Sequence, residues 1–344
     1  MNQNGTTQID AENNPIPTYD QNVVDNFAKV FTGWTFCEIQ GAACPNKTFA
    51  AFNYLDPLLL NQNNHNIEAK TLLDYPGAVN RNVAANLNGN VELGLALDNI
   101  YNHPNVAPFV SRFLIQHLVT SDPTPAYVGR ISAVFNANRT SPTQLKEVVK
   151  AILLDPEARG NVKTDPNYGK LREPVQLATN LLRQFKVQSA DGSAQSDGYI
   201  AQIITPMAQN VFYSPTVFNY YQPDYIVPGQ GINGPEFAIM TTGTAVARMN
   251  FINTIIFNRV FPGANTTTGT SVNLTEMQEL AAADATGEQL LNALNTKMMH
   301  GTMTEENKSN IRTAWSQIPA SESLLRARTA VYLLAASSKY QIQR

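Results

Sequence analysis

Apolar residues recur at spacings of three and four along most of this chain, the period of one face of an α-helix. After Asp20, the residues Val23, Val24, Phe27, Val30, Phe31 and Trp34 keep that spacing, with Gly33 near the end, and predict a short amphipathic helix. Two further helices are predicted over 91–102 and 105–120, separated by His103-Pro104 and read as a helical hairpin. Proline then marks helix starts, because at the first helical position it gives up only a donor that would have no partner there. Thr124-Pro125, Ser141-Pro142, Glu173-Pro174 and Gly234-Pro235 predict helices over 128–136, 145–154, 175–185 and from 235 to about 258. Four more are predicted at 275–283, 287–299, 304–316 and 320–339, with Thr302 and Glu305 spaced as a capping box. No alternation of comparable strength predicts strands. The expected fold is all-α, an irregular bundle of about ten helices with long loops and room for one short hairpin around 49–54.

The stretch 35–65 lacks a period, carries Pro45 and Pro57, and reads as a long loop. Residues 187–198 are low-complexity and predict a flexible connection. They separate an N-terminal helical part, 1–186, from a C-terminal helical part, 199–344, two parts that can also pack as one domain. Composition narrows the function classes. A net charge of −3 leaves no electrostatic footprint for nucleic acid or an anionic membrane. No run of 18 or more apolar residues predicts a transmembrane segment. Charged residues are 15%, against about a quarter in an average soluble domain, and Asn, Gln, Ser and Thr take their place, a balance common in exported bacterial proteins. Both cysteines, Cys37 and Cys44, fall in the long loop. In an oxidising compartment a local disulfide can close there, and in a reducing one they are two thiols. The polar opening, residues 1–18, shows no basic region followed by an apolar one, so no signal peptide is read in this chain, and it looks like a loop from a longer protein.

Candidate chemistry is sparse. His65, Glu68 and Lys70 lie in a polar stretch after the long loop, and His103 stands at a helix end. A pair of histidines with a carboxylate can serve as acid and base or hold a metal. The competing reading has His65 and Lys70 capping a helix that runs into Leu72 and Leu73, and His103 satisfying terminal carbonyls. With His117 read as a partly buried histidine and His300 near a helix end, the four histidines predict no rich metal cluster. The Ser-nucleophile, zincin and P-loop motifs do not occur. Arg112, Glu173 and Glu236 are candidates for buried ion pairs that set helix register. The most unusual local composition is aromatic: Phe212, Tyr213, Phe218, Tyr220, Tyr221 and Tyr225, interleaved with Asn219, Gln222 and Asp224. Such rings either pack into the core or present a platform that grips a partner or stacks on sugar. Tyr213, Asn219, Tyr220, Tyr221, Asp224 and Tyr225 are taken as the binding candidates.

Several separated patches carry a resemblance. These are Phe31-Thr32-Gly33-Trp34, His65 through Leu73, His103-Pro104 with Phe109 through Leu114, Leu171-Arg172-Glu173-Pro174-Val175, and Ser214 through Tyr221 closing on Gly234-Pro235-Glu236-Phe237. In this order the chain resembles the bacterial family catalogued as domain of unknown function 1800, over nearly its whole length, as the C-terminal portion of a longer protein. Where the family usually reads His-Asp, this chain has His65-Asn66, a neutral amide in place of a carboxylate. The resemblance implies export to the periplasm or outside the cell and a partner of the alkaline-phosphatase and sulfatase type. The leading expectation is therefore a non-catalytic binding or assembly module acting on a partner protein or glycan. The alternative is a hydrolytic or metal-assisted enzyme on extracellular carbohydrate or on sulfate or phosphate esters, with His65, Glu68, Lys70 and His103 as its catalytic candidates.

Overall fold

A computed structural model describes residues 1–37, 53, 55–160, 165 and 167–344. Among these are fourteen α-helices, three of them single turns of four residues. The extended segments form only two-stranded antiparallel pairs, so the fold class is all-α. The expected hairpin around 49–54 and Cys44 lie outside the described residues. Cys37 is buried and disulfide-bonded. The described residues divide into two compact units, Met1–Leu114 with Thr124–Ala151, and Ile115–Pro123 with Ile152–Arg344.

In the first unit the helix Gln21–Val30 starts where Asp20 accepts a hydrogen bond from the Val23 N–H at 2.9 Å. It stops before Gly33, which sits at φ +82°. Glycine is required there twice over, because a Cβ would also come within 2.7 Å of the Asn61 carbonyl oxygen. The turn leads into Trp34–Thr35, paired with Leu59–Leu60, and the Asn61 N–H donates to the Gly33 carbonyl at 2.7 Å. The helix expected to run into Leu72 does not form. Lys70–Thr71 is instead a short strand against Asn82–Val83. The main chain is paired across to 81–83, with the Leu72 N–H on the Arg81 carbonyl at 2.7 Å, and the Lys70 ammonium turns inward to donate to the carbonyls of Asn66 and Glu68. Leu72 is nevertheless fully buried, with Val30, Val83 and Ala96. Of the proline-marked starts in this unit, Pro125 opens Pro125–Ala137, where Thr124 accepts from the Tyr127 N–H at 3.2 Å, whereas Pro142 lies two residues before the helix Gln144–Leu154.

The core of the second unit is built from Pro174–Gln184, Thr242–Phe257, Glu288–Met299 and Ser323–Ala336, whose Leu177, Leu181, Ile252, Leu294 and Val331 are almost wholly buried. Each such side chain contributes about 1.5–3 kcal/mol relative to exposure. Ser323–Ala336 buries Ala327, Ala330 and Ala335, small residues that let its neighbours Thr275–Ala283 and Thr242–Phe257 come close. The helix expected over 235–258 is broken in two: a 3-10 segment, Pro235–Ile239, ends before Thr241, which caps Thr242–Phe257 by accepting from the Thr244 N–H. The cap of Glu305–Ser316 is Thr304, not the predicted Thr302, and it accepts from the Asn307 N–H at 3.3 Å. Thr302 donates to the Met299 carbonyl. In the segment 187–198, Lys186–Gln188 pairs with Ser271–Asn273, and Asp197 accepts hydrogen bonds from the N–H groups of Thr267, Thr268 and Gly269.

Gly33→Ala tests the turn that joins the first helix to the first strand pair. The left-handed φ alone costs a side-chain-bearing residue about 1–3 kcal/mol, and the close approach to Asn61 adds to it. The variant is expected to lower the urea midpoint of unfolding with an unchanged m-value.

Candidate functional site

The structure brings two of the predicted residues, His65 and Lys70, onto one carboxylate that sequence reasoning missed, Glu92. All three side chains are fully buried. Lys70 Nζ lies 2.8 Å and 3.0 Å from the two Glu92 oxygens and donates to the Asn66 and Glu68 carbonyls at 2.7 and 2.9 Å. His65 Nδ1 is 2.9 Å from the Thr32 carbonyl oxygen, which can only accept, so Nδ1 carries the hydrogen. Nε2 then stands 3.1 Å from Glu92 Oε2, at ion-pair distance but outside hydrogen-bond alignment. Glu92 enters from the first turn of Gly89–Tyr101, where the helix dipole favours a carboxylate.

Glu68 and His103 do not join them. Glu68 is on the surface, paired with Lys29 at 2.7 Å, and that partner holds its carboxyl below the usual range. Asn66 turns its side-chain oxygen onto the Glu68 N–H. His103 is buried, its ring edge-on to Tyr75 at 4.7 Å. It accepts the Asn105 N–H on Nδ1 at 3.0 Å, so it caps the start of the next helix and leaves Nε2 as the protonated nitrogen of the neutral ring. It lines a mainly apolar cavity of about 470 Å³ with Tyr19, Leu73, Ile100 and Phe109. The proposed four-residue catalytic set is thus not one constellation. Among the described residues, no group of three or more His, Cys, Asp and Glu is placed to hold a metal.

A second buried cluster, in the other unit, centres on Lys170, which sequence reasoning also missed. Its ammonium donates to the carbonyls of His117 and Gln116 at 2.9 and 3.2 Å and lies 3.5 Å from Glu236 and 3.9 Å from Glu173. Glu236 accepts from the Ser121 hydroxyl at 2.7 Å, and Glu173 from the Gln209 amide at 2.6 Å. The ion pairs anticipated for Glu173 and Glu236 are present, whereas Arg112 takes no carboxylate partner among the described residues. Tyr221 is buried, and its hydroxyl makes no aligned hydrogen bond. Burial, with the charges of Glu173 and Glu236 behind it, pushes this phenol far above its ordinary value, so it stays protonated.

Tyr221 is the anchored member of the aromatic segment. Tyr220 and Tyr225 are half-buried, and the Tyr220 hydroxyl donates to the Asn210 carbonyl. The Gly234 N–H donates to the Tyr225 carbonyl, and Ile226 bridges to Asn233. Asn219 adopts φ +75°, which asparagine tolerates, and Asp224 is exposed. The rest faces out: Phe212 is 98% and Val217 96% exposed, and Tyr213, Phe218 and Ile226 are exposed as well. Packing these rings into the core is therefore not what the segment does, Tyr221 excepted. Phe212 and Val217 are additions to the predicted set. Phe212 also holds φ +68°, a conformation that costs a bulky residue about 1–3 kcal/mol.

These features define a helical protein with a buried ionic cluster in each unit and an outward-facing aromatic loop. Residues 6–342 match the model of the family described as protein of unknown function (DUF1800), and the chain belongs to that family. No curated protein and no solved structure matches it. No helix among the described residues is long and apolar enough to cross a membrane.

Two expected outcomes follow from the first cluster and from His103. Glu92→Gln leaves the Lys70 ammonium buried beside a neutral amide and should cost about 3–5 kcal/mol in denaturant unfolding; a loss below about 1 kcal/mol would show that water reaches the site. Burial, with the chain's amino terminus adding to it, holds His103 below its ordinary 6.5. The unfolded chain therefore binds a proton that the folded one refuses, and stability falls as pH drops below 6.5. His103→Gln should remove that part of the slope in unfolding curves taken between about pH 7 and 5.

Proposed function

We propose that this chain is a binding or assembly module of an exported protein, and that it docks a partner protein through the apolar side chains of the loop 211–226. The observation that carries this reading is the near-complete exposure of Phe212 and Val217, with Val211, Tyr213, Phe218 and Ile226 exposed in the same loop. Large apolar side chains left exposed together in one loop mark interaction sites. The left-handed backbone at Phe212 supports it further: the turn is closed by the Tyr213 N–H on the Asn210 carbonyl at 2.9 Å, and it holds the ring outward. Val211, Val217 and Ile226 offer no ring face to a sugar, which favours an apolar protein surface over a glycan. Export is supported by the bonded state of Cys37 and by the low content of charged residues. The first partner to test is the exported protein of the alkaline-phosphatase and sulfatase type that family resemblance suggests.

Binding of the purified chain to that purified protein should weaken at least about tenfold in the double variant Phe212→Ser with Val217→Ser, with no fall in melting temperature. Equal affinity of the variant would remove the loop from the interface. Retention on immobilised glycans, lost in the same variant, would replace the protein partner with a carbohydrate. Tyr221→Ala is unsuitable here, because it empties a buried position next to Glu173 and Glu236 and should destabilise the fold.

A further inference from the structure

Arg172 is 7% exposed and stacks its guanidinium 4.3 Å from the centroid of the Tyr340 ring, while Nη1 donates to the Tyr340 carbonyl. A guanidinium taken out of water is ordinarily matched by a carboxylate. The nearest candidate along the chain, Glu173, is occupied by Gln209 and Lys170, and Glu236 is occupied by Ser121 and Lys170. Among the described residues Arg172 has no carboxylate partner, and the bond to the Tyr340 carbonyl is the one hydrogen bond its side chain makes. The same residue lines a cavity of about 460 Å³. Its wall also carries Lys339, Arg344 and His300, and no Asp or Glu among the described residues lines it. Lys339 is exposed and has no carboxylate partner among the described residues, while Arg344 takes part in a further interaction of its own. Met299 and Ile342 give the wall an apolar portion.

We infer that this cavity is a binding site for a small organic anion, whose carboxylate, phosphate or sulfate group meets the open edge of Arg172 while its apolar body lies against Met299 and Ile342. The guanidinium presents a planar fork of donors that suits two oxygens of one anion, and Tyr340 fixes the plane of that fork by stacking. Lys339 adds charge from the rim. The size of the cavity is within the range of small-ligand sites and exceeds a bare inorganic ion. The site is independent of the loop 211–226, so it stands or falls separately from the docking reading. It also gives three neighbouring residues distinct tasks: Arg172 holds the anion, Glu173 holds the Lys170 ammonium, and Pro174 opens the helix.

The test is calorimetric titration of the intact chain, at low ionic strength, with phenyl phosphate, phenyl sulfate and benzoate, and with phenol as the uncharged control. At least one anion should bind about tenfold or more tightly than phenol and lose affinity as salt is added. Which anion binds best identifies the head group. Arg172→Lys keeps the charge but removes the fork, and should weaken binding. Because Arg172 also holds the Tyr340 carbonyl, a second variant, Lys339→Ala with Ile342→Trp, narrows the cavity from its rim without touching that contact and should weaken binding as well. Failure of all three anions to bind the folded chain would overturn the inference, as would binding that is unchanged in both variants. The double variant Phe212→Ser with Val217→Ser should leave anion affinity at the wild-type value.

Discussion

An ammonium group that leaves water must recover its hydration from fixed oxygens, and in this protein two lysines impose that requirement on the backbone around them. Lys70 and Lys170 are both fully buried, and each donates to two main-chain carbonyls while facing carboxylates. The C-terminal end of Val106–Leu118, whose last carbonyls have no partner in the helical ladder, supplies those of Gln116 and His117, and the non-helical stretch after Asn66 supplies those of Asn66 and Glu68. Removing either partner of such a pair costs more than the pair contributes against an apolar replacement.

The two clusters differ in balance. In the first unit one carboxylate sits between an ammonium and an imidazole, and in the second two carboxylates flank one ammonium. Neither has a side chain open to solvent beyond a small part of Glu173, so they are frameworks on which exposed features are mounted. Tyr221 is packed beside the second cluster, and the loop bearing Phe212 and Val217 is anchored through it. Arg172, between Leu171 of the strand pair and Glu173 of the cluster, is left over from this pairing and opens onto a cavity.

Much of the helical framework is legible in the sequence because its signals are local. Asp20 and Thr124 cap where the pattern places them, and prolines 125 and 174 open their helices. Glu173 and Glu236 could be singled out as buried charges because a carboxylate beside a helix-opening proline is conspicuous. Their partner could not, since Lys170 in a Gly-Lys-Leu stretch looks like any surface lysine. Glu92 was equally hidden: it lies 22 residues from Lys70, and its placement in a first helical turn reads as ordinary dipole compensation. Composition drew attention to the aromatic segment but said nothing of which rings turn inward. Tyr221 goes in because a buried pocket beside Glu173 and Glu236 receives it, and Phe212 goes out through a backbone conformation that no glycine or asparagine announces. Thr302 and Thr304 show the limit of motif spacing, since Thr302 has the Glu three residues on that a capping box needs, yet the cap is Thr304, three residues before Asn307.

The claim that two dehydrated ammonium groups organise this fold is tested most directly by nitrogen-15 NMR of the lysine side chains at neutral pH. Exposed ammonium protons exchange with water too fast to be seen, whereas buried ones held by carbonyls and carboxylates exchange slowly. Two slowly exchanging ammonium signals are predicted, one lost in Lys70→Met and the other in Lys170→Met. Ammonium protons that all exchange rapidly in the folded protein would contradict the claim.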